Sequence, residues 1–360
     1  MTISDIIRFR LHNLLVSSNR FASPAETVSW LGAVQAQDYF GAKWSLGLRI
    51  TGLKEQSVDD AIANRSIVRT WPMRGTLHFV AAEDARWMLK LLTPRIIAGS
   101  AGRHRQLELD DKTFDKSKDL LISAMQGGKQ FMRNEVYKLL QENGISTSGQ
   151  RGMHIIGFLA QSQILCHGSH NDKQPTYVLM DDWVPKTAEM NREEALHELA
   201  IRYFKSHGPA TISDFVWWTG LRISEAKQAI NLGSSSLKSV EVDGNKYLYH
   251  EEMTEKTDAD AVFLLPGFDE YILGYTDRNP VVDKIHAPKI IPGKNGVFAP
   301  TIISNGKVEG TWKRTLVKDA VQMNLSPFGK LSLAKKKAIE VQCKEFAKFL
   351  SRKTVDVNWQ

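Results

Sequence analysis

Helices followed by paired strands recur in the same order three times along this chain of 360 residues. The clearest helix start is Ser23-Pro24-Ala25-Glu26, which combines a capping box with proline at the first helical position. The other predicted elements of this first set are a helix capped by Ser4, a helix that opens at Ser57, and strands over residues 67–71 and 76–80 that are separated at Pro72. Three helices and a strand pair describe a winged helix-turn-helix.

The same order returns twice without any repeat of the residues themselves. The second set comprises helices 132–143 and 149–163 with strands 164–167 and 176–180, and the third comprises helices 191–206, 211–218 and 224–231 with strands 237–242 and 246–250. The sequence therefore predicts a mainly helical α+β protein of three tandem winged-helix modules. We place them at residues 1–110, 111–187 and 188–360.

A β-hairpin and a helix are predicted beyond the third strand pair. The step Asn305-Gly306 favours a tight turn between strands 297–303 and 307–312. The last helix, 332–353, combines an apolar face with a lysine-rich one. Basic residues at or near the hairpin are Lys294, Lys307, Lys313 and Arg314. They would suit a ribbon that enters a DNA groove, although exposed hairpins and helix faces also carry lysine for solubility.

Composition narrows the class of partner and the compartment. The formal net charge of +7 favours a polyanion, either nucleic acid or an anionic lipid surface. The first twenty residues lack the apolar core of a signal peptide, and Cys166 and Cys343 are too few for a four-cysteine metal site. We therefore expect a cytoplasmic protein with no metal, no cofactor and no membrane partner.

Gln35-Ala36-Gln37 is the strongest candidate for chemistry. Two neutral amides can orient a water molecule and stabilise a developing cation, but neither can act as a base near neutral pH. On a continuous helix, residues two apart point roughly 200° away from each other, so the preceding helix should end or distort before this pair. The alternative is that one or both glutamines bind backbone at a helix end.

Two charged residues that follow the pair could take part in catalysis. Asp38 would either activate water or cap the following structure, and we favour the capping role. Lys43 could form a Schiff base, but a solvated lysine is the commoner case. The sequence therefore predicts no strand-cleaving lyase activity.

Arg69, Arg74 and His78 lie in or beside the first strand pair. They could bind phosphate. They could equally be structural, with the arginines paired to carboxylates such as Glu83 or Asp84.

Several segments together resemble the AlkZ-like winged-helix DNA glycosylases over nearly the whole chain. They are Leu31-Gly32-Ala33-Val34-Gln35-Ala36-Gln37-Asp38, Trp44-Ser45-Leu46-Gly47-Leu48-Arg49, the run from Val68 to Val80, Leu264-Leu265-Pro266-Gly267-Phe268-Asp269-Glu270-Tyr271, and Gly310-Thr311-Trp312-Lys313-Arg314. A sister branch carries aspartate in place of the second glutamine. This chain keeps Gln37 and so resembles the branch linked to unhooking of crosslinks.

The resemblance implies a C-shaped cleft around double-stranded DNA and a monofunctional glycosylase. Gln35 and Gln37 would be its catalytic residues, and Arg69, Arg74, His78, Lys43, Lys307, Lys313 and Arg314 its DNA contacts. The expected reaction hydrolyses the N-glycosidic bond of N-alkylated purines of the N7-alkylguanine type, leaves an abasic site and extends to interstrand crosslinks. A monomer could enclose DNA with its own modules. The alternative is a non-enzymatic winged-helix DNA-binding protein or transcriptional regulator.

Overall fold

The structure is a computed structural model that describes residues 1–172, 174–253, 261–293 and 296–360, which fold as an α+β protein. The helices are α1 Ile3–Asn13, α2 Pro24–Leu31, α3 Tyr39–Arg49, α4 Glu55–Ala63, α5 Ala85–Gln106, α6 Asp111–Met125, α7 Arg133–Glu142, α8 Arg151–Gln161, α9 Met180–Trp183, α10 Arg192–Ser206, α11 Ile212–Thr219, α12 Ile223–Leu232, α13 Glu270–Leu273, α14 Ala287–Ile290 and α15 Leu333–Phe349. The strands are β1 Val34–Gln35, β2 Ile67–Met73, β3 Thr76–Ala81, β4 Phe131–Met132, β5 Leu165–Asn171, β6 Gln174–Leu179, β7 Leu237–Val242, β8 Asn245–His250, β9 Val262–Leu265, β10 Thr301–Ser304, β11 Lys307–Val317, β12 Ala320–Pro327 and β13 Thr354–Trp359.

One compact unit of the described chain joins Met1–Val58 to Leu196–Gln360. Its largest sheet has the strand order β13-β12-β11-β10-β9, antiparallel except for the parallel pair β12 and β13. Helix α15 packs on this sheet through Phe346. The centre of its ring lies 5.3 Å from the ring centre of Trp312 and 4.9 Å from that of Trp44 in α3. The core of this unit therefore fixes α3, the helix that follows the glutamine motif.

The other compact unit comprises Asp59–Ala195. In it, β2 pairs with β3 and β5, and β6 pairs with β5 and β4, all antiparallel. Apolar residues of α6, α7 and α8, such as Leu121, Leu140 and Ile155, are fully buried against this sheet. Leucine and isoleucine at helical spacing form these buried faces.

Helix ends that carry local capping signals agree with the sequence. Ser23 caps α2, with its hydroxyl 2.6 Å from Glu26 and accepting from the Glu26 N–H. Thr211 caps α11 in a capping box, and Gly220 ends that helix in the left-handed conformation that glycine favours. The predicted hairpin of β7 and β8 also forms.

Several predicted boundaries were wrong, including the start of α4, which is Glu55 rather than Ser57. Thr2, rather than Ser4, caps α1, because Asp5 stands three residues after Thr2 and completes a capping box with it. Strand β2 does not end at Pro72 but continues to Met73. A register shift between Thr70 and Met73 accommodates the proline, which has no N–H to donate to the ladder.

The hairpin predicted over residues 297–312 was only partly right. Residues Asn305 and Gly306 both have positive φ, of 52° and 73°, as a tight hairpin turn requires. The first strand, however, starts at Thr301, and both strands are interior to the sheet rather than added to it. The Tyr271 hydroxyl donates to the Gly306 carbonyl at 2.6 Å, and a Cβ on Gly306 would overlap Ile7. This turn is therefore packed against its own unit, while Lys294 lies outside the described residues.

Some elements were absent from the sequence prediction. Helices α5 and α6 fill a stretch that carried no assignment, and β13 follows a helix that was predicted to end the fold. No helix among the described residues is long and apolar enough to cross a membrane.

Candidate active site

The glutamine motif spans the end of a short strand and the bend that follows it, between two capped helices. Helix α2 ends at Leu31, where Gly32 at φ 76° turns the chain, and β1 then covers Val34–Gln35. Asp38 caps the next helix, α3. The expected end of the helix before the pair is confirmed, and the pair is free of the helical geometry that would separate its side chains.

The two glutamines differ in exposure. Gln35 is only 6% exposed and Ala36 is fully buried, whereas Gln37 is exposed to solvent. Gln37 is therefore the amide that a substrate can reach from solvent, and Gln35 belongs to the packed wall beside it.

Glu270 supports the motif from the interior. The backbone N–H of Gln35 donates to Glu270 Oε1 at 3.2 Å, and the indole N–H of Trp218 donates to Oε2 at 2.9 Å. His207 Nε2 lies 3.4 Å from the same Oε2, and burial lowers the pKa of His207. Glu270 itself is completely buried, so its carboxylate acts on the motif from behind.

Asp269, the preceding residue, holds helix α3. Its carboxylate accepts from both terminal nitrogens of Arg49, at 2.8 and 2.9 Å, and from the Ser45 hydroxyl at 2.8 Å. Both side chains of the Arg49–Asp269 pair are fully buried, and the Arg49 Nε also donates to the Leu14 carbonyl. Such a bidentate pair fixes the orientation of the Arg49 side chain as well as its distance from Asp269.

Asp38 has a structural role that the sequence anticipated. Its carboxylate accepts from the Gly41 N–H at 3.1 Å, and a Cβ on Gly41 would lie 2.5 Å from that carboxylate. Helix α3 therefore begins at a tight cap in which only glycine fits without displacement.

Arg314, predicted from the sequence to contact DNA, belongs to the surroundings of this cap. Burial lowers its pKa, and the carboxylates of Asp38 and Glu55 partly offset that effect. Its guanidinium lies 6.0 Å from the centre of the Phe40 ring, whose side chain is 40% exposed. The guanidinium of Arg314 and the exposed ring of Phe40 therefore lie near the N-terminus of α3, beside the motif.

Lys43 does not fit its predicted role as a DNA contact. The side chain is 3% exposed, and its Nζ pairs with Glu55 Oε1 at 2.9 Å. It also lies 5.0 Å from the Tyr39 ring. The DNA contact is corrected to a structural ion pair, because an amine that is buried and paired is not available to phosphate.

The three candidates from the first strand pair, all in the unit Asp59–Ala195, are mostly buried. Arg69 is 6% exposed and His78 is fully buried, which argues against their predicted phosphate contacts and favours structural roles. Arg74, at the turn, is partly exposed and donates to His78 Nε2 at 3.2 Å. Because a guanidinium has no acceptor, His78 must carry its proton on Nδ1, which donates to the Thr76 carbonyl at 2.9 Å. A DNA contact by Arg74 stays a prediction.

Lys307 and Lys313 are exposed, so both remain available to an anion. Lys313 lies on β11 opposite Asn324 of β12, on the ribbon that continues to the exposed side chains of Leu316 and Val317. This ribbon is a better candidate for insertion into a groove than the turn at Asn305-Gly306, because its tip is exposed.

Sequence reasoning missed the part played by Glu270 and Arg49. Both lie in segments that resemble the family, but their positions in the sequence indicate no role. The available signal was a pair of adjacent carboxylates, Asp269 and Glu270, in an otherwise apolar run, since buried carboxylates require partners.

Comparisons with known proteins show what this chain is similar to. A family model described as DNA glycosylase AlkZ-like matches residues 28–349. An interstrand DNA cross-link repair glycosylase from Streptomyces sahachiroi is 27% identical over 335 residues, which are 86% of this chain and 87% of that protein. The solved structure of Streptomyces sahachiroi DNA glycosylase AlkZ matches with a TM-score of 0.82 at 23% identity, over 100% of both chains. The structural match establishes a shared fold.

Proposed function

The chain belongs to the AlkZ-like DNA glycosylase family, and from this premise we propose that it hydrolyses the N-glycosidic bond of N-alkylated purines, N7-alkylguanine above all, to leave an abasic site. The observation that carries this proposal is that Gln35 ends strand β1 and Gln37 lies in the bend before α3, so the pair lies outside both flanking helices. Outside a helix, residues two apart are not held roughly 200° away from each other.

The leaving group of the proposed reaction is already activated by the lesion itself. Alkylation at N7 already places positive charge on the purine, so departure of the base needs no strong acid. The side-chain carbonyls of Gln35 and Gln37 would hold a water molecule against the anomeric carbon. Their dipoles would also stabilise the oxocarbenium-like sugar as the bond breaks.

Two charged residues near the motif are left out of this mechanism. Asp38 is occupied as a helix cap and Lys43 as an ion pair, so neither is assigned a catalytic role. We propose a monofunctional enzyme that uses no metal and no cofactor.

Interstrand crosslinks are a further proposed substrate. The Streptomyces sahachiroi relative is named as an interstrand cross-link repair glycosylase. This chain shares with the crosslink-linked branch a glutamine at the second polar position of the motif, Gln37. A lesion that need not be turned fully into a closed pocket would permit the bulk of a crosslink.

We propose that double-stranded DNA is bound by three winged-helix modules, at residues 1–110, 111–187 and 188–360. The order of elements supports this: α7 and α8 precede the β5–β6 hairpin, and α11 and α12 precede the β7–β8 hairpin. Lys307, Lys313 and the β11–β12 tip supply candidate backbone and groove contacts. We propose that the protein works as a monomer, in a bacterial cytoplasm and on the nucleoid. No observation favours the alternative of a non-enzymatic regulator, because the family is one of DNA glycosylases.

Incubation with duplexes that contain 7-methylguanine or a nitrogen-mustard crosslink, followed by hot alkali, tests the proposal. We expect strand breaks at the lesion from the wild-type protein, none from an unmodified duplex, and no adduct trapped by borohydride. Absence of breaks from both damaged duplexes would refute the proposed substrate class. A trapped adduct would require an amine nucleophile instead.

A further inference from the structure

The loop that follows β9 contributes two adjacent buried carboxylates to the surroundings of the motif. Phe268, at φ 63°, turns the chain after Pro266-Gly267, and Asp269 then caps the short helix α13. This turn directs Asp269 and Glu270 to different partners. Both carboxylates are within the unit that also contains the glutamine motif.

These partners lie on the two sides of the motif. Glu270 accepts the N–H of Gln35, the first catalytic glutamine, at 3.2 Å. Asp269 accepts from Arg49 and Ser45 on α3, which begins directly after Gln37 and Asp38. Consecutive residues of one loop therefore fix the start of the motif and the helix at its end.

We infer that Glu270 is a positioning residue for base excision, which holds the backbone of Gln35 so that the two amides share one water molecule. The inference rests on the proposed function. Glu270 is fully buried and therefore acts through Gln35 rather than on the substrate.

A carboxylate suits this position better than an amide. Both Glu270 oxygens accept N–H donors, from Gln35 on Oε1 and from Trp218 on Oε2, and His207 also lies against Oε2. In Glu270→Gln, one of these donors would face an NH2 group that cannot accept. Buried donors are costly to leave unsatisfied, so the Gln35 backbone or the Trp218 ring must shift.

Tyr271 provides a matched control in the same loop. It is 1% exposed, and its hydroxyl makes one hydrogen bond, of 2.6 Å, to the Gly306 carbonyl. Tyr271→Phe removes a buried hydrogen bond beside Glu270 while the ring and the bond to Gln35 remain. A loss of activity caused only by loosening of the loop would appear in both variants.

The experiment measures single-turnover release of 7-methylguanine from duplex DNA, affinity for a duplex with a tetrahydrofuran abasic analogue, and the unfolding midpoint. For Glu270→Gln we expect the rate to fall about tenfold or more while affinity stays within about threefold of wild type. For Tyr271→Phe the rate and the affinity should both stay within about threefold of wild type. The unfolding midpoint should fall by about as much as it does in Glu270→Gln. Glu270→Asp keeps the negative charge but moves it away from the Gln35 N–H, so its rate should also be low. This variant supplies the test if Glu270→Gln does not fold.

The outcomes separate this inference from the proposed function. Release by wild type at a rate that Glu270→Gln matches within about threefold would overturn the inference alone. Equal losses of rate in Tyr271→Phe and Glu270→Gln would also overturn the inference alone. Absence of release by wild type would overturn the proposed function and, with it, the positioning role.

Discussion

The backbone N–H of Gln35 donates to Glu270 Oε1 at 3.2 Å, although 235 residues separate the two positions. The Arg49–Asp269 pair connects the same two regions of the chain, across 220 residues. The motif is therefore held by distant carboxylates, and the early part of the chain would not keep this geometry without residues 269 and 270.

Loss of the Arg49–Asp269 ion pair should destabilise the protein strongly. Asp269→Asn leaves a fully buried guanidinium without its charge partner, and breaking such a pair costs about 3–5 kcal/mol. Chemical denaturation measures the free energy of unfolding. Lys90→Ala is the control, because the Lys90–Glu189 pair is exposed and its loss should cost less than about 1 kcal/mol. Equal effects of the two changes would contradict the structural role of Asp269.

Lys43 and Lys313 should differ in their effect on DNA binding. Lys43→Met removes a cation that is already paired with Glu55, so duplex affinity and its salt dependence should not change. Lys313→Ala removes an exposed cation and should weaken binding, with a salt slope smaller by about 1. Fluorescence anisotropy over a series of salt concentrations measures both. A reduced slope for Lys43→Met would restore the role that the sequence suggested.

Stability should decrease as the pH falls below the ordinary histidine pKa of 6.5. Burial, with Arg69 close by, lowers the pKa of His167 well below that value, and its Nε2 has no hydrogen-bond partner among the described residues. The unfolded chain binds this proton near pH 6.5 and the folded chain does not, so acid favours unfolding. The loss should reach about 1.4 kcal/mol per pH unit for each such histidine, and His207 adds to it.

Urea unfolding above and below the ordinary histidine pKa measures this dependence. His167→Phe keeps a ring against Trp71 and removes the titrating group, so its stability should vary less with pH. An unchanged pH dependence in this variant would exclude His167 as a contributor.

Features that depend on neighbouring residues were predictable from the sequence. The helix cap at Ser23, the turn at Asn305-Gly306 and the end of α2 before Gln35 each follow from a few adjacent residues. The family resemblance was confirmed for the same reason, since it was read from continuous segments such as residues 68–80.

Features that depend on distant pairing were not predictable. Strand β13 exists because it pairs in parallel with β12, and no local pattern names that partner. Lys43 looked like a surface lysine because its partner, Glu55, is brought near it only by the turn between α3 and α4. The role of Glu270 likewise requires knowledge of which backbone N–H its carboxylate meets.

Gln37→Ala, compared with wild type, tests the central claim that the two amides steer one water molecule toward the sugar. The measurement is single-turnover release of 7-methylguanine together with the dissociation constant of the damaged duplex. Gln126→Ala, which removes an exposed amide outside the motif, serves as the control. We predict that Gln37→Ala lowers the rate by about a hundredfold and affinity by less than about threefold, since the interaction is made in the transition state. A rate equal to that of wild type, or losses of rate and affinity in equal proportion, would contradict the claim.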